Sequence, residues 1–137
     1  MRWARRFAVP LIIAIGLTPQ PARADEQPVC AVVDCAAVVR YLRALPPETL
    51  IIIAWDGTGQ TERALAIARR ESGMRCDAAN PRSSASGLFQ HLSIHAPRAE
   101  RMGLSWAEIT GPDCYADVLL AKAMWLESGW APWRLTA

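Results

Sequence analysis

Glu71-Ser72-Gly73 closes an apolar-patterned segment. After Asn80-Pro81 it is followed by Ser83-Ser84-Ala85-Ser86-Gly87-Leu88-Phe89-Gln90. Ala64, Ile67, Ala68 and Glu71 fall at i, i+3, i+4 and i+7, so a helix over Thr61 to Ser72 carries the glutamate on its core-facing stripe. Burial disfavours a carboxylate's charged form, and the negative end of the helix dipole acts in the same sense. Such a group is expected to hold its proton as a general acid does. Ser72 supplies a hydroxyl beside it. Gly87, without a Cβ, lets backbone approach a ligand, and Gln90 offers amide donors and an acceptor to a polar ligand. Each also has a plainer role: Ser72 bonding a free helix-end carbonyl, Gly87 making a turn, Gln90 capping a helix.

The combined pattern resembles the soluble lytic transglycosylase domain, a family of goose-type lysozyme-like fold. The family pattern is Glu-Ser at a helix end, then Asn-Pro, then Ser-Gly-Ala-x-Gly-Leu-Met/Phe-Gln. Glu71-Ser72, Asn80-Pro81 and Ser83 to Gln90 match it, with Ser84 where the family usually has Gly. A third element is partly present as Gly111-Pro112-Asp113, Asp117-Val118 and Trp125-Leu126, and Gly129-Trp130-Ala131-Pro132-Trp133 resembles the end of such domains. The resemblance spans roughly Glu62 to Trp133. It implies peptidoglycan glycan strands as substrate and cleavage between N-acetylmuramic acid and N-acetylglucosamine. It further implies Glu71 as the single catalytic acid, a 1,6-anhydro product, and Ser72, Ser86, Gly87, Gln90 and Trp125 as substrate contacts. No cofactor is implied. A hydrolytic, lysozyme-like muramidase and a noncatalytic wall-binding module are the alternatives.

Glycoside cleavage usually takes two carboxylates, with substrate-assisted exceptions. Asp77, Asp113 and Asp117 are the alternative partners, none at a matching family position. Glu127-Ser128-Gly129 repeats the tripeptide of Glu71 without the following Gly-Leu-Phe-Gln stretch, and reads as a solvated helix end. His91 and His95 have a zinc-compatible spacing, but no third ligand is evident, and two partly exposed histidines are expected. Trp55, Trp106 and Trp125 suit core packing, whereas Trp130 or Trp133 suits the face of a sugar ring.

The elements that must position these groups make a mainly α domain. Helices are expected from Asp34, as a cap, to Ala44, stopped by Pro46-Pro47; over Thr61–Ser72; from Leu88; over Pro97–Met102; and from Asp113 to Ser128, with Gly129 at its end. A short turn is expected at Trp106 to Ile109. Ile51-Ile52-Ile53 within Leu50 to Trp55 favours strand by propensity, so a short β or irregular segment is left open against a buried helical turn. The chain divides into residues 1–24, a lead-in and helix over 25–47, and the lysozyme-like domain over 48–137.

Residues 1–24 read as a secretory signal: Arg2, Arg5 and Arg6, an apolar run Phe7 to Leu17 too short for a permanent span, and Ala22-Arg23-Ala24 as cleavage site. Its removal leaves 11 basic and 13 acidic residues of the 15 and 13 in the whole chain, a net charge near minus two. That sign, without a basic stripe, excludes a nucleic-acid footprint. Export to the periplasm or exterior makes disulfides the default for Cys30, Cys35, Cys76 and Cys114. Three pairings are possible, and Cys76 with Cys114 and Cys30 with Cys35 are favoured.

Overall fold

The computed structural model describes residues 33–134. The expected signal sequence, most of the lead-in, and Cys30 with its expected link to Cys35 lie outside them. From Asp34 onward the chain forms a compact unit that is mainly helical.

The first helix, α1 (Cys35–Arg43), starts where Asp34 accepts a hydrogen bond from the Ala37 amide at 3.0 Å, as expected of that residue. Val38 and Tyr41, part of its apolar pattern, are exposed. Arg43 ties α1 to the later part of the unit through Glu108 and Asp113.

Pro46-Pro47 ends that helix, and Pro47 opens the next, α2 (Pro47–Trp55), where its missing N–H costs nothing. The Ile51-Ile52-Ile53 run is therefore helical, against its strand propensity. Leu50, Ile51 and Trp55 are buried while Ile52 and Ile53 are exposed, a helical and not an alternating pattern. Burying one helical stripe against α3 (Thr61–Ser72) and α6 (Tyr115–Ser128) outweighs what β-branched residues prefer in isolation.

Helix α3 runs over the expected residues, burying Ala64, Leu65, Ile67 and Ala68 and ending at Gly73 in the left-handed conformation. Two short helices, α4 (Ala96–Arg101) and α5 (Trp106–Ile109), precede α6. Pro97 lies in the first turn of α4, and Ser105 and Glu108 form a reciprocal capping box on α5. A 3-10 turn, Ala131–Trp133, folds back onto α6.

Trp55 centres an aromatic core. Its ring stacks on Trp130 at 5.8 Å, and Phe89 and Trp125 lie 5.6 and 6.2 Å away. Trp130, a candidate sugar platform by sequence, is 8 % exposed and donates its indole N–H to Gln60, so it belongs to the core.

Cys76 and Cys114 form the favoured disulfide, joining the segment after α3 to the residue that precedes α6. Because this link closes a loop with a sequence separation of 38, replacing both cysteines by serine should lower unfolding stability by about 2–5 kcal/mol. Urea titration followed by circular dichroism checks this, and an unchanged midpoint would mean that the link does not hold α3 and α6 together.

Candidate active site

A cavity of about 470 Å³ opens between the end of α3, the segment that follows it and the C-terminal 3-10 turn; Glu71, Asn80, Gln90, His91, His95 and Trp133 are in its wall. Glu71 reaches it from the last turn of α3. Its Oε1 is buried and has no hydrogen-bond partner among the described residues. Among the described residues, no ion pair engages this side chain. A buried carboxyl oxygen without a partner is costly, and one at a cavity wall can exchange a hydrogen bond or a proton with a ligand atom.

The floor is built by the stretch that begins at Asn80. The Asn80 side-chain oxygen accepts from the Arg82 backbone N–H at 2.9 Å, and the Asn80 backbone N–H donates to Ala85 O at 2.9 Å, closing a side-chain-supported turn. Ser86 then pairs with Ala79 on one side and His91 on the other, exchanging two backbone hydrogen bonds of 3.0 and 2.9 Å with His91.

Leu88 to Leu92, expected to begin a helix, instead forms most of a tight reversal. Gly87 (φ +83°) and Gln90 (φ +52°) are both left-handed, which no α-helix accommodates, and both Gln90 amide bonds go to backbone carbonyls, Gly87 O at 3.0 Å and Ala78 O at 3.2 Å. The tip of the reversal points inward, with Leu88 and Phe89 fully buried.

Asp117, in the first turn of α6 and itself fully buried, receives that tip. Its Oδ1 accepts from the Phe89 amide at 3.1 Å and lies 3.3 Å from His91 Nε2, which is also 3.2 Å from the Asp117 carbonyl. Gly87 is required for the same approach: a Cβ there would stand 2.0 Å from Asp117 Oδ2 and 2.9 Å from Ile109 O. The close approach expected at Gly87 is thus made to a protein carboxylate rather than to a ligand.

Of the residues expected to form the site, Glu71 and Gln90 meet at the cavity. Ser72, Ser86, Gly87 and Trp125 are not in its wall. The Ser72 hydroxyl donates to Ala68 O at 3.0 Å and accepts from the Arg75 amide, the plainer helix-end role. Trp125 lies in the aromatic core with the Lys122 ammonium 4.3 Å from its ring centre. The alternative carboxylates are engaged elsewhere, Asp77 with Arg75 and Asp113 with Arg43. Glu127 pairs on the surface with Arg98.

His91, expected to be partly exposed, is 2 % exposed. Its depth and the role of Asp117 were missed by the sequence reasoning. The available signal was that Asp117, Leu120, Ala121 and Met124 share one helical stripe, which places an acid on the buried face of α6. Among the described residues, no group of three or more ligating side chains is arranged for a metal ion.

No family model, curated protein or solved structure matches the chain.

Gly87→Ala should cost about 2–5 kcal/mol, combining a left-handed backbone cost of about 1–2 kcal/mol with overpacking of about 1–3 kcal/mol. Gly59→Ala, at φ +69° with nothing within 4 Å of the added carbon, should lose only the backbone part. Equal melting temperatures for the two variants would contradict the contact with Asp117.

Burial, and then repulsion from His91 and Arg98, hold the His95 imidazole below its ordinary proton affinity. The unfolded chain therefore takes up this proton first, and folding stability should fall as pH drops below about 6.5. His95→Asn should make the decline in melting temperature between pH 7 and 5 shallower, and an unaltered slope would contradict the assignment.

Proposed function

We propose that this chain is an exported peptidoglycan lytic transglycosylase that cleaves the β-1,4 bond between N-acetylmuramic acid and N-acetylglucosamine. The observation that carries the reading is the buried Glu71 Oε1, without a hydrogen-bond partner among the described residues, in the wall of a cavity that Asn80, Ala85, Gln90 and His91 also line. Support for export comes from the signal-like pattern of residues 1–24 and the Cys76–Cys114 disulfide. Among the described residues, no helix is long and apolar enough to cross a membrane.

With one carboxyl in the wall, acid and base duties fall to the same group. Glu71 gives its proton to the glycosidic oxygen as the bond to C1 of N-acetylmuramic acid breaks. The acetamido oxygen of that sugar stabilises the developing positive charge, as in substrate-assisted glycosidases. The Glu71 carboxylate then takes the proton of the C6 hydroxyl while its oxygen bonds to C1. The proton returns to Glu71, no water is consumed, and the product is a 1,6-anhydro sugar.

Glu71→Gln, nearly isosteric and unable to pass a proton, should lower the rate of clearing of purified cell walls by about 10²-fold or more with an unchanged melting temperature. Glu127→Gln should be silent. Clearing by Glu71→Gln at the unsubstituted rate would overturn the role of Glu71. Wall binding without turnover by the unsubstituted chain would instead favour a binding module.

A further inference from the structure

His91 is the second buried group at this cavity with an unused polar atom. Its Nε2 lies between two acceptors, the Asp117 carbonyl at 3.2 Å and Asp117 Oδ1 at 3.3 Å. The Asp117 carbonyl oxygen has no hydrogen to donate, so Nε2 must carry the hydrogen. In the neutral ring Nδ1 is then an acceptor. It is buried and has no partner among the described residues, and His91 is one of the residues that line the cavity.

The ring has little freedom to turn. Phe89 and Trp133 pack against it at 6.4 and 6.2 Å between centres, and its backbone is locked to Ser86 in both directions. A buried acceptor left unpaired is costly, and a ligand donor offered to it gains correspondingly.

We propose that His91 is a substrate-contacting residue whose Nδ1 accepts a hydrogen bond from an O–H or N–H of the glycan, while Asp117 fixes the tautomer that makes this possible. The inference rests on the glycan reading of the cavity. Hydroxyl and acetamido groups both carry an O–H or N–H that can be donated to Nδ1. Glu71 acts on the bond while His91 orients the sugar that bears it.

Two amide isosteres separate the ring's nitrogens. His91→Gln can keep an N–H donor near the Nε2 position and has no acceptor at Nδ1, whereas His91→Asn can keep a polar atom near Nδ1 and leaves Asp117 without its donor. The test uses the Glu71→Gln background, which blocks turnover, with calorimetric titration of a tetrasaccharide of alternating N-acetylglucosamine and N-acetylmuramic acid. His91→Gln should weaken binding about tenfold while melting near the parent temperature. His91→Asn should melt lower and retain more of the affinity.

In the histidine-bearing parent, nitrogen NMR should show Nε2 protonated, Nδ1 bare, and only Nδ1 shifting when the tetrasaccharide is added; this readout does not depend on either isostere folding. With a tetrasaccharide whose acetamido groups are replaced by hydrogen, a surviving His91→Gln penalty assigns the donor to a hydroxyl, and a vanished penalty assigns it to the acetamido N–H. Parent-like affinity in His91→Gln together with an unmoved Nδ1 signal would overturn the inference and leave the role of Glu71 intact. Failure of the parent to bind either glycan would overturn the glycan reading itself, and this inference with it.

Discussion

The buried carboxylate of Asp117 is the constraint around which the site is arranged. An isolated charge in a protein interior is strongly unfavourable, so a fully buried aspartate has to be offset by donors and dipoles aimed at it. Three sources act on Oδ1 here, the amino end of α6, the Phe89 amide and the Nε2 hydrogen of His91, whereas Oδ2 is buried without a partner among the described residues. The inward turn, the absence of a side chain at residue 87 and the orientation of His91 are each consequences of meeting Asp117. The disulfide at Cys114, just ahead of Asp117, anchors the same end of α6 to the chain leaving Glu71. The acid and the turn beside it therefore share a support.

The aromatic core gives the turn something to insert into. Phe89 enters between Trp55 and Trp133, and Trp133 donates its indole N–H to the Phe89 carbonyl at 3.0 Å. One residue at the tip is thus held from two sides, its N–H by Asp117 and its carbonyl by Trp133. The tryptophans nearest the C-terminus serve mainly this packing, with only Trp133 also in the cavity wall. With Asp77 and Asp113 drawn into pairs with arginines and Asp117 into the core, Glu71 is left as the carboxyl in that wall.

Where local chemistry decides an element, the sequence was legible. Asp34 and Gly73 mark the start of α1 and the end of α3, and the 3.6-residue pattern through Ala64, Ile67 and Ala68 carries directly to Glu71. The helical outcome at Ile51-Ile52-Ile53 depends on α3 and α6, contacts far along the chain that strand propensity does not contain. The Leu88 to Leu92 stretch has the composition of a helix start. Its reversal follows from the Asp117 carboxylate and two left-handed residues, one of them Gln90 and not a glycine. His91 was misplaced for the same reason: its partner is 26 positions away. Glu71 reaches the cavity wall on the stripe that its periodicity marks, and Gln90 lies there too although the helix expected from Leu88 is absent, whereas Ser72, Gly87 and Trp125 have structural roles compatible with the same motif.

The proposed route has the C6 hydroxyl, and not water, as the group that Glu71 deprotonates once it has given up its proton, and that is the point at which measurement bears most directly on the proposed chemistry. Purified peptidoglycan digested in heavy-oxygen water and resolved by mass spectrometry should yield unlabelled 1,6-anhydromuropeptides, each lighter by one water than a muramidase product. Heavy oxygen at the new reducing end would show a water nucleophile, contradict attack by the C6 hydroxyl, and make the protein a hydrolase.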